Sequence, residues 1–178
     1  MKKEHAHILI TGLVYPGFLG AFIVEAAQKL SQFSIEQVFL VSALIFHYSG
    51  DFIYIADNER KEIFGILRMF LDIVLVVLIF LALRYALNLN STDNVSCIWG
   101  YLALFKFVSC VWEYAGKADK NRTEALIIDS FFLFIYTVGW RTIPSATLSL
   151  IFIAFIDASA YVWWDSVSPV ISKWRGKQ

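Results

Sequence analysis

IFGILRMFLDIVLVVLIFLALR, residues 63–84, decides how this chain folds. From Ile73 to Leu83 no side chain carries a polar atom. A stretch of this length meets the roughly 20 residues that a helix needs to cross a bilayer. Working outward, five more apolar segments run at about 8–27, 36–56, 95–115, 125–140 and 145–165. Short polar connections join them. The chain therefore reads as an all-α, polytopic membrane protein. Six transmembrane helices form a single domain over residues 1–178. Segment 125–140 is short for a span and is expected to be buried or tilted among its neighbours.

Composition agrees. Of 178 residues, 58% are hydrophobic and 17% are charged, against roughly 45–50% and 25% in soluble domains. Mean hydropathy is +0.63. Lysine plus arginine and aspartate plus glutamate number 15 each, so the formal net charge is zero. That balance excludes a nucleic-acid partner. The lipid bilayer is the expected surround, and a second copy of the chain is a candidate partner. Cys97 and Cys110 fall on one predicted helix, on the order of 20 Å apart, too far to bridge.

Cations set the direction. With the N-terminus cytoplasmic, that face receives Lys2, Lys3, Arg60, Lys61, Lys117, Lys120, Arg122, Lys173, Arg175 and Lys177. The far face receives Lys29, Arg84 and Arg141. This is the positive-inside bias, and it predicts both termini inside, in a plasma or bacterial inner membrane. Lys2-Lys3, the run after them and Val24-Glu25-Ala26 have the outline of a signal peptide. The run is long for one and Glu25 is unusual at a cleavage site, so the segment is read as a span.

Two stretches 62 residues apart share a charge pattern. Asp51 precedes Asp57-x-x-Arg60-x-Glu62, and Glu113 precedes Asp119-x-x-Arg122-x-Glu124. Ser34/Ser96, Leu40/Leu102, Phe70/Phe132, Leu71/Leu133, Ile73/Ile135 and Val76/Val138 extend the match. The expectation is a parallel repeat of two-helix units, helices 2–3 and 4–5, about an axis along the membrane normal. The turn residues read as structure: Asp57 and Asp119 as N-caps, Glu62 and Glu124 in the first turns, and Arg60 and Arg122 pairing locally.

Charge within the spans asks for a chemical reason, because it is costly there. Asp51, Arg68, Asp72, Lys106, Glu113, Asp129 and Asp157 lie inside spans, with His47 beside them. All fall within about 17 Å of the cytoplasmic face at ~1.5 Å per residue. Arg68 and Asp72 are i and i+4 and are expected to pair. His47 and Asp51 share that spacing, which also suits helical metal sites, although two further ligands would be needed. The metal is therefore unknown. Asp51, Glu113, Asp129 and Asp157 exceed the nearby bases, so a cation, a proton or a cationic solute is expected among them. His47 binds or relays protons in this reading, and Lys106 tunes the acids.

Catalytic motifs are not legible. There is no phosphate-binding glycine loop, Gly-x-Ser-x-Gly or His-Glu-x-x-His, and no cofactor is assigned. Thr137-Val138-Gly139-Trp140 is similar to the potassium-channel filter run, but Arg141 follows where that run needs glycine. Asp57, Arg60, Gly65 and Asp72 do not keep the order and spacing of the CDP-alcohol phosphotransferase motif.

The leading expectation is a small transporter or channel-like protein with an acidic, cytoplasm-facing cavity, and whether the chain has an enzymatic activity is left open. One alternative is a metal-dependent enzyme acting on lipid headgroups at the cytoplasmic face. Another is a non-catalytic membrane subunit with an immunity, assembly or sensor role, whose buried charges are packing pairs.

Overall fold

The structure, a computed structural model, describes residues 10–59, 66–89, 92–115 and 120–160. Six α-helices follow one another: α1 Tyr15–Lys29, α2 Ile35–Glu59, α3 Ile66–Ala86, α4 Thr92–Tyr114, α5 Lys120–Thr142 and α6 Thr147–Ala160. A π-helical turn, Ile10–Val14, leads into α1, and a 3-10 turn, Leu30–Gln32, follows it. Among the described residues, three helices are long and apolar enough to cross a membrane: Met69–Ala86, Asp93–Tyr114 and Thr123–Thr142. The fold is all-α and carries the length and apolarity of a membrane protein.

Local sequence explains several boundaries. Pro16 stands at the start of α1, where a missing N–H costs nothing. Ser34 and Gln37 form a reciprocal cap on α2. The Gln37 N–H donates to Ser34 Oγ at 3.2 Å, and the Ser34 N–H donates to Gln37 Oε1 at 2.9 Å. This is the capping box, with glutamine in the acidic position. Pro144 lies between α5 and α6, where it cannot continue a helix.

Paired contacts give the directions. Ser96 meets Trp140, Ser109 meets Asp129 and Cys110 meets Ser130, so α4 and α5 are antiparallel. Tyr101 meets Tyr85 and Trp112 meets Asp72, so α3 and α4 are antiparallel as well. On α1 the numbers rise together with those on α3: Phe18 with Phe80, Glu25 with Arg84, Lys29 with Asn88. Hence α1 and α3 run parallel.

Helix α4 is central and packs on both α3 and α5. Its buried residues, among them Val95, Ile98, Trp99, Leu102, Phe105, Ser109 and Trp112, cover more than one stripe for that reason. Helix α1 is peripheral, and Tyr15 and Phe22 are its buried side chains. The exterior is apolar: Phe107, Phe134 and Phe152 are 55%, 68% and 67% exposed. Several charged side chains, Asp72, Lys106, Glu113, Asp129 and Asp157, are buried, while these large apolar ones face outward, as suits a lipid surround.

Several expectations change. Segment 125–140 is part of a 23-residue helix. Its first turns, from Lys120, are polar, so hydropathy alone shortened it. Glu124 therefore lies beyond the first turn of α5. Asp57 belongs to the end of α2 and does not sit at an N-cap. Arg60, Glu62 and Asp119 lie outside the described residues, as do the side chains of Asp57, Arg68 and Arg122. The expected Arg68–Asp72 pair falls there too. Residues equivalent under the 62-residue offset differ in environment. Leu40 and Leu102 are both fully buried, whereas Val76 is buried and Val138 is 40% exposed. Ser34 caps a helix, while Ser96 accepts a hydrogen bond from Trp140 within α4.

Candidate functional site

A charged network occupies the interior where α2, α4, α5 and α6 meet. Lys106 on α4 lies at its centre. Its Nζ is 2.7 Å from Asp157 Oδ1 and 3.1 Å from Asp129 Oδ1, and none of the three side chains is more than 1% exposed. Helical spacing explains the partners. Ser109 is one turn from Lys106 and donates to Asp129 Oδ2 at 2.6 Å. Tyr136 shares a face of α5 with Asp129 and Phe132, and its hydroxyl donates to Asp157 Oδ2 at 3.0 Å. The rings of Phe132 and Phe105 stand 5.6 and 5.7 Å from the Lys106 ammonium. Their negative faces favour a cation in a place otherwise closed to water.

His47 completes the group from α2. Its ring is 2% exposed, and Nδ1 lies 3.5 Å from Asp157 Oδ2. That is long for a hydrogen bond. Among the described residues neither ring nitrogen has a hydrogen-bond partner. Phe105 packs edge-on against the ring, with centroids 5.0 Å apart. A buried imidazole left in this state is costly, so its position needs a chemical reason.

The other acids are held apart. Asp51 accepts a hydrogen bond of 2.7 Å from the Tyr15 hydroxyl, and the Tyr48 hydroxyl donates to the Tyr15 carbonyl at 2.6 Å. The Tyr15 ring lies 5.3 Å from both Tyr48 and Phe52. This arrangement docks the start of α1 onto α2. His47 and Asp51 share a helix face as their spacing predicts, but they turn to different neighbours, α6 and α1. Asp72 accepts from Trp112 Nε1 at 2.5 Å. Glu113 is 4% exposed, one residue beyond Trp112.

Of the expected binding residues, the structure brings His47, Lys106, Asp129 and Asp157 into one cluster. Asp51 turns instead to Tyr15 on α1. Asp51 still lies within the electrostatic reach of Lys106, Asp129 and Asp72. Sequence reasoning missed Ser109, Tyr136, Tyr15 and Trp112. The first two were accessible as polar residues at i+3 from Lys106 and i+7 from Asp129. Among the described residues no three His, Cys, Asp or Glu side chains converge with the geometry to hold a metal ion. Cys97 and Cys110 are both free thiols.

At the other end of the bundle the charges are exposed. Glu25 is 3.3 Å from Arg84 and 3.8 Å from Lys29, and Lys29 donates to Asn88 at 3.0 Å. Asn94 donates to the Asn88 carbonyl. The run Thr137–Arg141 is helical, and Gly139 packs flat against Trp99. It therefore has none of the extended carbonyls of an ion filter.

No protein-family model, no curated protein and no solved structure matches the chain.

Proposed function

We propose that this protein is a small multi-pass membrane transporter or channel-like protein. Its buried network of His47, Lys106, Asp129 and Asp157 binds a proton or another small cation on its way through the bundle. The observation that carries this reading is His47: an imidazole sealed in the interior, 3.5 Å from a carboxylate, with neither nitrogen hydrogen-bonded among the described residues. Intramembrane ionisable groups of this kind usually mark an ion or proton path. The bundle would cross the membrane six times with both termini cytoplasmic, in a plasma or bacterial inner membrane. The antiparallel course of α3, α4 and α5 and the cation bias of the turns support that topology. The two-helix repeat rests on the sequence offset alone.

The test is flux in vesicles that hold the purified chain. Wild type should pass protons or a monovalent cation down a gradient, and Asp157→Asn should reduce the rate at least tenfold. Asp51→Asn should act more weakly, since Asp51 is bonded to Tyr15 on α1. No ion movement by wild type sinks the proposal.

One further reading has an observation in its favour. A lysine shared by two buried aspartates also serves to fix helix register, as buried ion networks do in some proteins. The chain would then be a non-catalytic subunit of a membrane assembly. In that case the paired exchange Lys106→Asp with Asp157→Lys should restore function lost in either single variant, with no dependence on a solute.

A further inference from the structure

We infer that the species bound by this cluster is a proton, held on the His47 ring with Asp157 as its counter-ion. This rests on the reading of the cluster as a cation-binding site and names the cation.

The case begins with the oxygens. A metal cation takes six or more oxygen ligands, or a convergent set of side chains. Here the carboxylate oxygens already face donors. Asp157 Oδ1 faces Lys106, and its Oδ2 accepts from Tyr136. Asp129 Oδ1 accepts from Lys106, and its Oδ2 accepts from Ser109. An incoming sodium or potassium ion would have to displace an ammonium and two hydroxyls.

A proton needs a single lone pair, and His47 supplies it. Neutral imidazole has one N–H and one lone pair. Hydronium arriving at the ring leaves water and an imidazolium; one N–H bond forms and one O–H bond breaks. The new cation stands 3.5 Å from Asp157 Oδ2, where a small approach converts the contact into a charge-assisted hydrogen bond. Release reverses the step to water on the other side. Titratable and charged groups reach the ring from three helices. Asp157 comes from α6, Lys106 from α4, and Asp129 and Tyr136 from α5. Tyr136 reaches the ring only through Asp157, and Asp51, one turn along α2, faces Tyr15 on α1 and feels Asp72 on α3. Phe105 closes one side of the ring, so water has no free access there.

The experiment uses the full chain in vesicles with an internal pH dye, and sodium and potassium fluxes are followed in parallel. Proton uptake that is indifferent to both metal ions, and at least tenfold slower in His47→Gln, is the expected result. Sodium or potassium movement without protons overturns the proton assignment and leaves the broader reading standing. No movement of any ion overturns the broader reading. A second measurement guards against misfolding of His47→Gln. The His5→Gln, His7→Gln double variant keeps His47 as its single histidine. Its ring nitrogens, observed by 15N NMR, should take up a proton within the pH range over which flux occurs, and Asp157→Asn should shift that range. A ring that stays neutral throughout that range overturns the inference.

Discussion

The Lys106 ammonium stands 2.7 Å from the Asp157 carboxylate, and neither side chain reaches solvent. This ion pair joins α6 to α4 in the interior of the bundle. Removing one member strands the other, which costs about 3–5 kcal/mol in buried pairs. Lys106→Met should therefore lower the thermal midpoint in detergent sharply. Lys106→Met combined with Asp157→Asn should recover part of the loss, because the second change removes a stranded charge. A double variant no more stable than Lys106→Met would show that the pair is not coupled.

Gly139 on α5 lies against Trp99 of α4. A Cβ at that position would lie 2.5 Å from the Trp99 ring. The ring is large and fully buried, so it has little room to yield. Gly139→Ala should destabilise by about 1–3 kcal/mol, the usual cost of overpacking. Gly17→Ala is the control, since nothing lies within 4 Å of a Cβ there. Parallel unfolding of the two variants in detergent tests the contrast.

Tyr15 anchors the first helix through its bond to Asp51. Tyr15→Phe keeps the ring packed on Tyr48 and Phe52 but leaves the carboxylate without this donor. The loss should be about 1–3 kcal/mol, the range for a buried acceptor deprived of its partner. It should be local to α1. Faster hydrogen exchange in Tyr15–Lys29 than in α4 is the expected signature, and uniform exchange across the bundle would contradict it.

Phe134 points away from the core and is 68% exposed. If its surround is lipid, Phe134→Arg at mid-helix should disfavour membrane insertion of α5 by about 2.5–3.5 kcal/mol. In a soluble protein the same change would be neutral. A glycosylation-based insertion assay on this helix measures the difference.

Much of the fold was legible in hydropathy. The run from Ile73 to Leu83 has no competing reading, and the helices appear where the apolar segments predict them. Helix α5 was the exception, because apolarity reports the part of a helix in contact with apolar neighbours, not its hydrogen-bonded length. The expected repeat shows a related limit. Val76 and Val138 are the same residue at matched positions, yet they face different surroundings, because α3 and α5 both pack on α4 but have different further partners.

Residue type and helical spacing alone determined that charge lies within apolar helices and that His47 and Asp51 share a face. Partnership was decided in three dimensions. A helix face of about 100° can touch two neighbours, so one turn of α2 sends His47 to α6 and Asp51 to α1. Nothing in the order of residues 47, 106, 129 and 157 brings them together. Packing four helices around one buried lysine does, since a charge held away from water must find its counter-charges across the bundle.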